Sequence, residues 1–203
     1  NSVTSIGSYA FHNTGWYNNQ PDGILYLDNC CLGYKGNEPT ETLSIKEGTR
    51  LIGGAAFSHC TGLTSVTIPN SITSIGREAF YNCTDLTKVN YNAENCASVG
   101  YSVFSGCLNL KAINIGKDVK SIPYMPLYDC SGLTEVNISD LSAWCNIDFE
   151  YSKANPLYYA KKLKLNGNDI TNLVIPNDIT EIKNYAFYGC TGLNSVTIPN
   201  SIT

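Results

Sequence analysis

Nine cysteines and two histidines carry the most specific chemistry available to this 203-residue chain. A zinc site would need Cys or His pairs spaced to converge on one ion, as in C-x-x-C. None is present; the only close pairs are Cys30-Cys31 and His59-Cys60, and the side chains of adjacent residues diverge. To act in catalysis, His12 or His59 would need a nucleophile and an orienting group within reach. Nothing in their sequence surroundings supplies either, so both are read as surface residues. Asp140, Asp148 and Glu150 are acidic but lack the alternating D-x-D-x-D-G of a calcium loop. In the basic run Lys161, Lys162 and Lys164, the last two alternate with Leu163 and Leu165. That alternation places their charges on the solvent side of an extended segment rather than around an anion. The expectation is a chain with no catalytic residue, no metal ligand and no cofactor site.

Composition points the same way. Charged residues are 15% of the chain, against about 25% in an average domain, and the net charge is −4 with only 13 Lys and Arg. Nucleic-acid binding is not expected, because neutralising phosphates needs a dense basic face. No stretch approaches the roughly 20 apolar residues of a membrane span, and Asn1-Ser2-Val3-Thr4 does not read as a signal peptide. With 43% hydrophobic residues there is ample material for a core, and neutral polar types, among them 23 Asn, fill the space that charge leaves.

The cysteine spacings show how that core is built. Cys60, Cys83, Cys107, Cys130 and Cys190 are separated by 23, 24, 23 and 60 residues, which is an internal repeat. The blocks 40–62, 63–85, 86–109, 110–132 and 170–192, with part blocks at both ends, share L-x-x-V-x-I, a Pro or Gly turn, I-x-x-I and A-F-x-x-C. Stacking them aligns Leu43, Val66, Val89, Ile113, Val136, Leu173 and Val196 in one apolar column, and Ile45, Ile68, Tyr91, Ile115, Ile138, Ile175 and Ile198 in a second. A third runs through Ile6, Ile52, Ile75, Val99, Ile122 and Ile182, and a fourth through Phe11, Phe57, Phe80, Phe104, Leu127 and Phe187, in what reads as a short helical turn. V-x-I alternation is the period of a strand. One block cannot bury these residues alone, but stacked neighbours can. The predicted fold is an α/β-repeat solenoid over 1–203, with a parallel β-sheet on one face and short helical turns or strands on the other, in about eight rungs of ~23 residues. The repeated Cys column then reads as a small buried hydrophobe with free thiols. In-register neighbours keep Cβ atoms near the strand spacing, wider than the roughly 3.8 Å a disulfide prefers. Cys96 aligns with the inward Ile72 and Val119, leaving Cys30, Cys31 and Cys145 without a place in the repeat.

The run L-x-x-V-x-I-P-x-x-I-x-x-I-G-x-x-A-F-x-x-C, as in LTSVTIPNSITSIGREAFYNCTD, resembles the BspA-like leucine-rich repeat of bacterial surface proteins. That resemblance implies a leucine-rich-repeat solenoid, an extracellular or cell-surface setting, and a non-enzymatic role in adhesion or protein binding, with a host extracellular protein as partner. In a bacterial protein the glycosylation sequons Asn82-Cys83-Thr84 and Asn137-Ile138-Ser139 are read as accidental.

Two segments, 14–39 and 139–169, depart from the repeat. The first has room for one degenerate rung with two short strands, and the second stretches the interval from Leu133 to Ile170 to 37 residues, 14 more than a regular rung. The sheet's outward positions form small polar ladders, and these are the expected partner surface: Ser65, Thr67, Lys88, Asn90, Asn114, Glu135, Asn137 and Asn172. The inserted rings Trp144, Tyr158 and Tyr159 are a second candidate, set against the reading that they fill an enlarged rung's core. A carbohydrate-binding or purely structural stalk module is the alternative function. Both chain ends fall inside a repeat without a polar cap, so a longer array or end-to-end self-association is expected.

Overall fold

The alternating V-x-I triplets become the strands of one long sheet. In the computed structural model, which describes residues 3–125 and 127–202, Glu41–Ser44, Leu63–Ile68, Lys88–Tyr91, Ala112–Ile115, Glu135–Ile138 and Leu163–Leu165 run parallel in that order. Asn168–Asp169 closes the sheet as an antiparallel strand. Asn1, Ser2 and Thr203, at the ends for which open edges are expected, lie outside the described residues. Leu43, Val66, Val89, Ile113 and Val136 are in register and buried, as are Ile68, Tyr91, Ile115 and Ile138.

A second parallel ladder follows the I-x-x-I stretch. It joins Cys30–Lys35, Leu51–Ile52, Ser74–Ile75 and Ser98–Val99, and further on pairs Ser121–Ile122 with Asp148–Phe149. The glycines after Ser74–Ile75 and Ser98–Val99 are dictated by the stacking. A Cβ on Gly76 would lie 2.4 Å from the Gly54 nitrogen, and one on Gly100 would lie 2.3 Å from the Arg77 nitrogen.

In the regular rungs the third side is built of turns, and helix enters it at Leu157–Ala160. The A-F-x-x-C segment carries left-handed residues two before the Phe (Ala55, Glu78, Ser102, Tyr185) and two after it (His59, Asn82, Gly106, Gly189). Alternate N–H groups therefore point along the solenoid and donate to the next rung: Phe57 to the Ala79 carbonyl, His59 to Tyr81, Phe80 to Val103, Asn82 to Ser105. Asn and Gly recur at the second position because they tolerate positive φ. Between these turns the rings stack: Phe57 on Phe80 at 5.4 Å and 13°, Phe80 on Phe104 at 5.5 Å and 8°.

The two departures fold differently from the simple column assignment. Segment 14–39 forms a short helix, Gly15–Asn18, and an antiparallel hairpin, Gly23–Leu27 with Cys30–Lys35. It adds no strand to the long sheet, so the chain makes about seven turns where eight rungs are expected. Cys31 takes the column place assigned to Ile6, beside Ile52, and Tyr34 rather than Phe11 stacks on Phe57. Phe11 packs on Trp16.

Segment 139–169 supplies a complete rung. Helix Leu141–Cys145, strand Asp148–Phe149 and helix Leu157–Ala160 lead to strand Leu163–Leu165, so Val136 pairs with Leu163 and Ile138 with Leu165, not with Leu173 and Ile175. Asn172–Val174 pairs instead with Ser195–Thr197 in a separate two-stranded sheet. Cys145 is buried in a small cluster with Leu173, Ile175 and Ile179.

Candidate partner-binding surface

On the long sheet every second side chain points away from the core, and the parallel register brings like positions together. Thr42, Ser65, Lys88, Ala112 and Glu135 are neighbours in one row; Ser44, Thr67, Asn90, Asn114, Asn137 and Lys164 are neighbours in the next. The second row is tied together through its side chains. Asn90 Nδ2 donates to Thr67 Oγ1 at 3.0 Å, and Asn114 Nδ2 donates to Asn90 Oδ1 at 2.7 Å. Asn137 instead donates to Glu135 Oε1 at 3.2 Å, and Glu135 is ion-paired with Lys164 at 2.6 Å. The Lys164 ammonium beside it is the main reason the Glu135 carboxyl lies below its ordinary range.

The surface is shallowly concave. Thr67, Asn90, Asn114 and Asn137 line an open trough of about 560 Å³, and Asn166 and Gly167 wall one end. These two form the turn of the hairpin between Leu163–Leu165 and Asn168–Asp169, both with positive φ, 51° and 82°. Sequence reasoning passed over them although Asn-Gly between two short apolar alternations is the strongest short-range hairpin signal. The groove offers neutral amide donors and acceptors with one balanced ion pair at its end.

The structure gathers Ser65, Thr67, Lys88, Asn90, Asn114, Glu135 and Asn137 on this one face. The other candidates lie elsewhere. Asn172 sits in the separate two-stranded sheet, accepting from Ser195 Oγ at 2.8 Å, because Leu163–Leu165 has taken its expected place. Trp144 is 1% exposed and donates from Nε1 to the Ala186 carbonyl at 3.0 Å, so its ring is core and not contact surface. Tyr158 and Tyr159 belong to helix Leu157–Ala160 on the turn side, half-buried.

His59 Nδ1 lies 3.1 Å from Asn82 Nδ2, and His12 packs between Tyr9 and Tyr17. Among the described residues no three His, Cys, Asp or Glu are grouped to hold a metal, and no helix is long and apolar enough to cross a membrane. All nine cysteines are buried and free. Their repeat position has a hydrogen-bonding reason beyond size: Cys83 Sγ donates to the Phe57 carbonyl at 3.1 Å, Cys107 to Phe80 at 3.3 Å and Cys130 to Phe104 at 3.1 Å. Burial pushes the Cys60 and Cys130 thiols up to about 12, so they are inert at neutral pH.

Comparison with known proteins agrees with this geometry. A family profile described as "BspA type leucine rich repeat region" matches residues 33–155 and 164–203 in six copies. Among solved structures, a leucine-rich repeat protein from Eubacterium ventriosum is 24% identical over 87% of this chain and 44% of its own, with a TM-score of 0.52, and supports the fold alone. One from Bacteroides ovatus is 27% identical over 77% of this chain and 36% of its own, with a TM-score of 0.44. A leucine-rich cell surface protein from Faecalibacterium prausnitzii is 24% identical over 86% and 52%, with a TM-score of 0.37. The chain thus spans between a third and about half of the length of these structures. Among curated proteins none matches significantly.

Proposed function

This chain belongs to the BspA-type leucine-rich-repeat family, and from that premise we propose that it is a non-enzymatic protein-binding module of a bacterial surface or secreted protein. Its partner, an extracellular host protein, docks in the amide-lined groove of the long sheet. One observation carries this reading. Five consecutive strands hold Thr67, Asn90, Asn114, Asn137 and Lys164 in register, and the first four line an open trough bordered by the Asn166-Gly167 turn. Amides of this kind satisfy a polar, uncharged surface such as exposed peptide groups, and a groove lined by hydrogen-bonding side chains confers orientation more than raw affinity. A solenoid presents such a face as an extended platform.

The test is binding to a panel of purified host extracellular-matrix proteins, compared with a Thr67→Glu, Asn90→Asp, Asn114→Asp variant. These substitutions place three like charges on adjacent strands of the groove floor. Binding by the parent chain that drops at least ten-fold in the variant supports the groove; equal binding moves the site to another face.

A further inference from the structure

The turn side of the solenoid carries a surface that the sheet-face reading does not use. Tyr101, Tyr124 and Tyr151 stand two residues after the second-ladder position in three successive rungs, with ring centroids 6.4 and 5.7 Å apart. A second row, Tyr128, Tyr158 and Tyr188, follows the Phe-column position by one residue, again in three successive rungs. Tyr158 and Tyr188 lie 6.1 Å apart with planes within 5°.

The two rows run side by side on the same rungs, Tyr124 with Tyr128 and Tyr151 with Tyr158, and burial raises the Tyr124 phenol. Tyr159, 5.0 Å from Tyr158, has a buried hydroxyl with no partner among the described residues. Tyr101 is 76% exposed, and Tyr128 and Tyr188 are close to half exposed. Tyrosines spend little conformational entropy on contact and are the residues that dominate interfaces. A contiguous exposed aromatic surface is otherwise rare on a soluble protein.

We propose that this tyrosine surface docks an uncharged polyproline II segment of a partner protein. Three features favour that occupant. The first is charge: Lys153 and Lys161, both over the Tyr158 ring, are balanced by Glu150 beside Tyr151 and Asp129 after Tyr128, so the surface attracts neither an acidic nor a basic chain. The second is spacing. A polyproline II helix repeats every three residues, about 9.3 Å, and alternate rungs at the strand spacing repeat every ~9.6 Å. Tyr101 and Tyr151 are two rungs apart, as are Tyr128 and Tyr188, so one proline-to-proline repeat is close to one two-rung step along either row. The third is hydrogen bonding: a polyproline II backbone has no internal hydrogen bonds, and its free carbonyls accept from phenol hydroxyls, as in other aromatic-lined proline-binding surfaces.

The test uses the whole chain and an immobilised synthetic deca-proline peptide, with cellohexaose as a neutral sugar and a Gly/Ser decapeptide as controls. Saturable binding to deca-proline alone is expected. It should fall at least ten-fold in Tyr101→Ser/Tyr151→Ser and in Tyr128→Ser/Tyr188→Ser, and stay unchanged in Asn90→Asp/Asn114→Asp on the sheet face. Tyr101→Ser alone alters an exposed side chain that holds no fold together, and several-fold weaker binding is expected there too. Absence of saturation, equal binding by the tyrosine variants, or binding of cellohexaose but not the peptide each overturns the proposal. None of these outcomes bears on the groove, which is read through a different variant.

Discussion

The regular rungs of residues 41–138 and the inserted rung that follows them solve the same packing problem by different means. In the regular part Phe57 is covered by Phe80 and Phe80 by Phe104, and Cys83, Cys107 and Cys130 each cap the Phe carbonyl of the rung before. The same interactions recur at every step, so nearest-neighbour repetition is sufficient. The inserted rung has Leu157 and Ala160 where Phe and Cys would stand, and it is fixed by two polar anchors instead. Trp144 donates to the Ala186 carbonyl. Asn155, fully buried, donates to Tyr185 and Ala186 and accepts from the Leu157 N–H. Repetition allows the regular rungs to be interchangeable; the anchors make the inserted rung fit only the rung that follows it.

The largest effect should come from breaking the repetitive part. Phe80→Ala removes a fully buried ring stacked on both sides, at an expected cost of about 3–5 kcal/mol. Denaturant unfolding measures it, and a loss below about 1 kcal/mol would contradict a continuously stacked core. Asn155→Ala should come next. It orphans the buried Leu157 N–H, at a cost of about 1–3 kcal/mol, while the Tyr185 carbonyl keeps the Tyr188 N–H. Trp144 still satisfies Ala186. If Asn155→Ala is neutral, the anchors are not what holds the inserted rung.

How much of this was legible in the sequence follows the same division. Val66, Val89 and Ile113 could be aligned from the 23-residue period alone, because each block repeats the same apolar positions. Leu163 could not, since the block beginning at Ile170 matches the repeat better, and a pattern match favours it over a degenerate strand lying closer in the chain. The Asn166-Gly167 turn that separates the two was a usable signal, and it also marks the end of the groove. Cys31 was hidden because its strand belongs to a hairpin with no repeat spacing, though once paired it fills an ordinary column place. The A-F dipeptides read as helical because Ala favours helix; the left-handed residues that flank them respond to stacking, which local propensity does not register. Tyr158 falls into a row with Tyr128 and Tyr188 only after Leu157 is recognised as the Phe-column residue.

Thiol chemistry probes both parts at once. Desolvation raises Cys31, Cys60 and Cys130 to about 12 and Cys145 to about 11. At pH 8 their thiolate fraction is negligible, so a disulfide reagent should label the native chain only as fast as rungs open. Under denaturant without reductant all nine should react. Fewer than five would contradict free thiols in the repeat column. If Cys145 labels well before Cys60 and Cys130, the inserted rung opens independently and the contrast with the regular rungs is sharpened.

The smallest effect lies at the seam between the two parts, where Lys164 takes the place that an amide would hold if the Asn row continued. Its ammonium, 2.6 Å from Glu135, holds that carboxyl below the ordinary glutamate range. A carboxyl lowered in the folded state contributes stability that is fully present above its unfolded value and is lost as pH falls through the folded value. Both side chains are partly exposed, so the contribution is small and weakens with salt. NMR titration should place Glu135 below an ordinary glutamate, and Lys164→Met should move it upward with little change in melting temperature. Lys164→Asn is the sharper variant, because it restores an amide beside Asn137 and removes the pair. If Asn137 then turns from Glu135 to the new amide, the inserted strand can carry the regular row, and the ion pair is a local substitute for it. If Glu135 titrates in both variants as it does in the parent chain, Lys164 does not set the charge at the end of the groove.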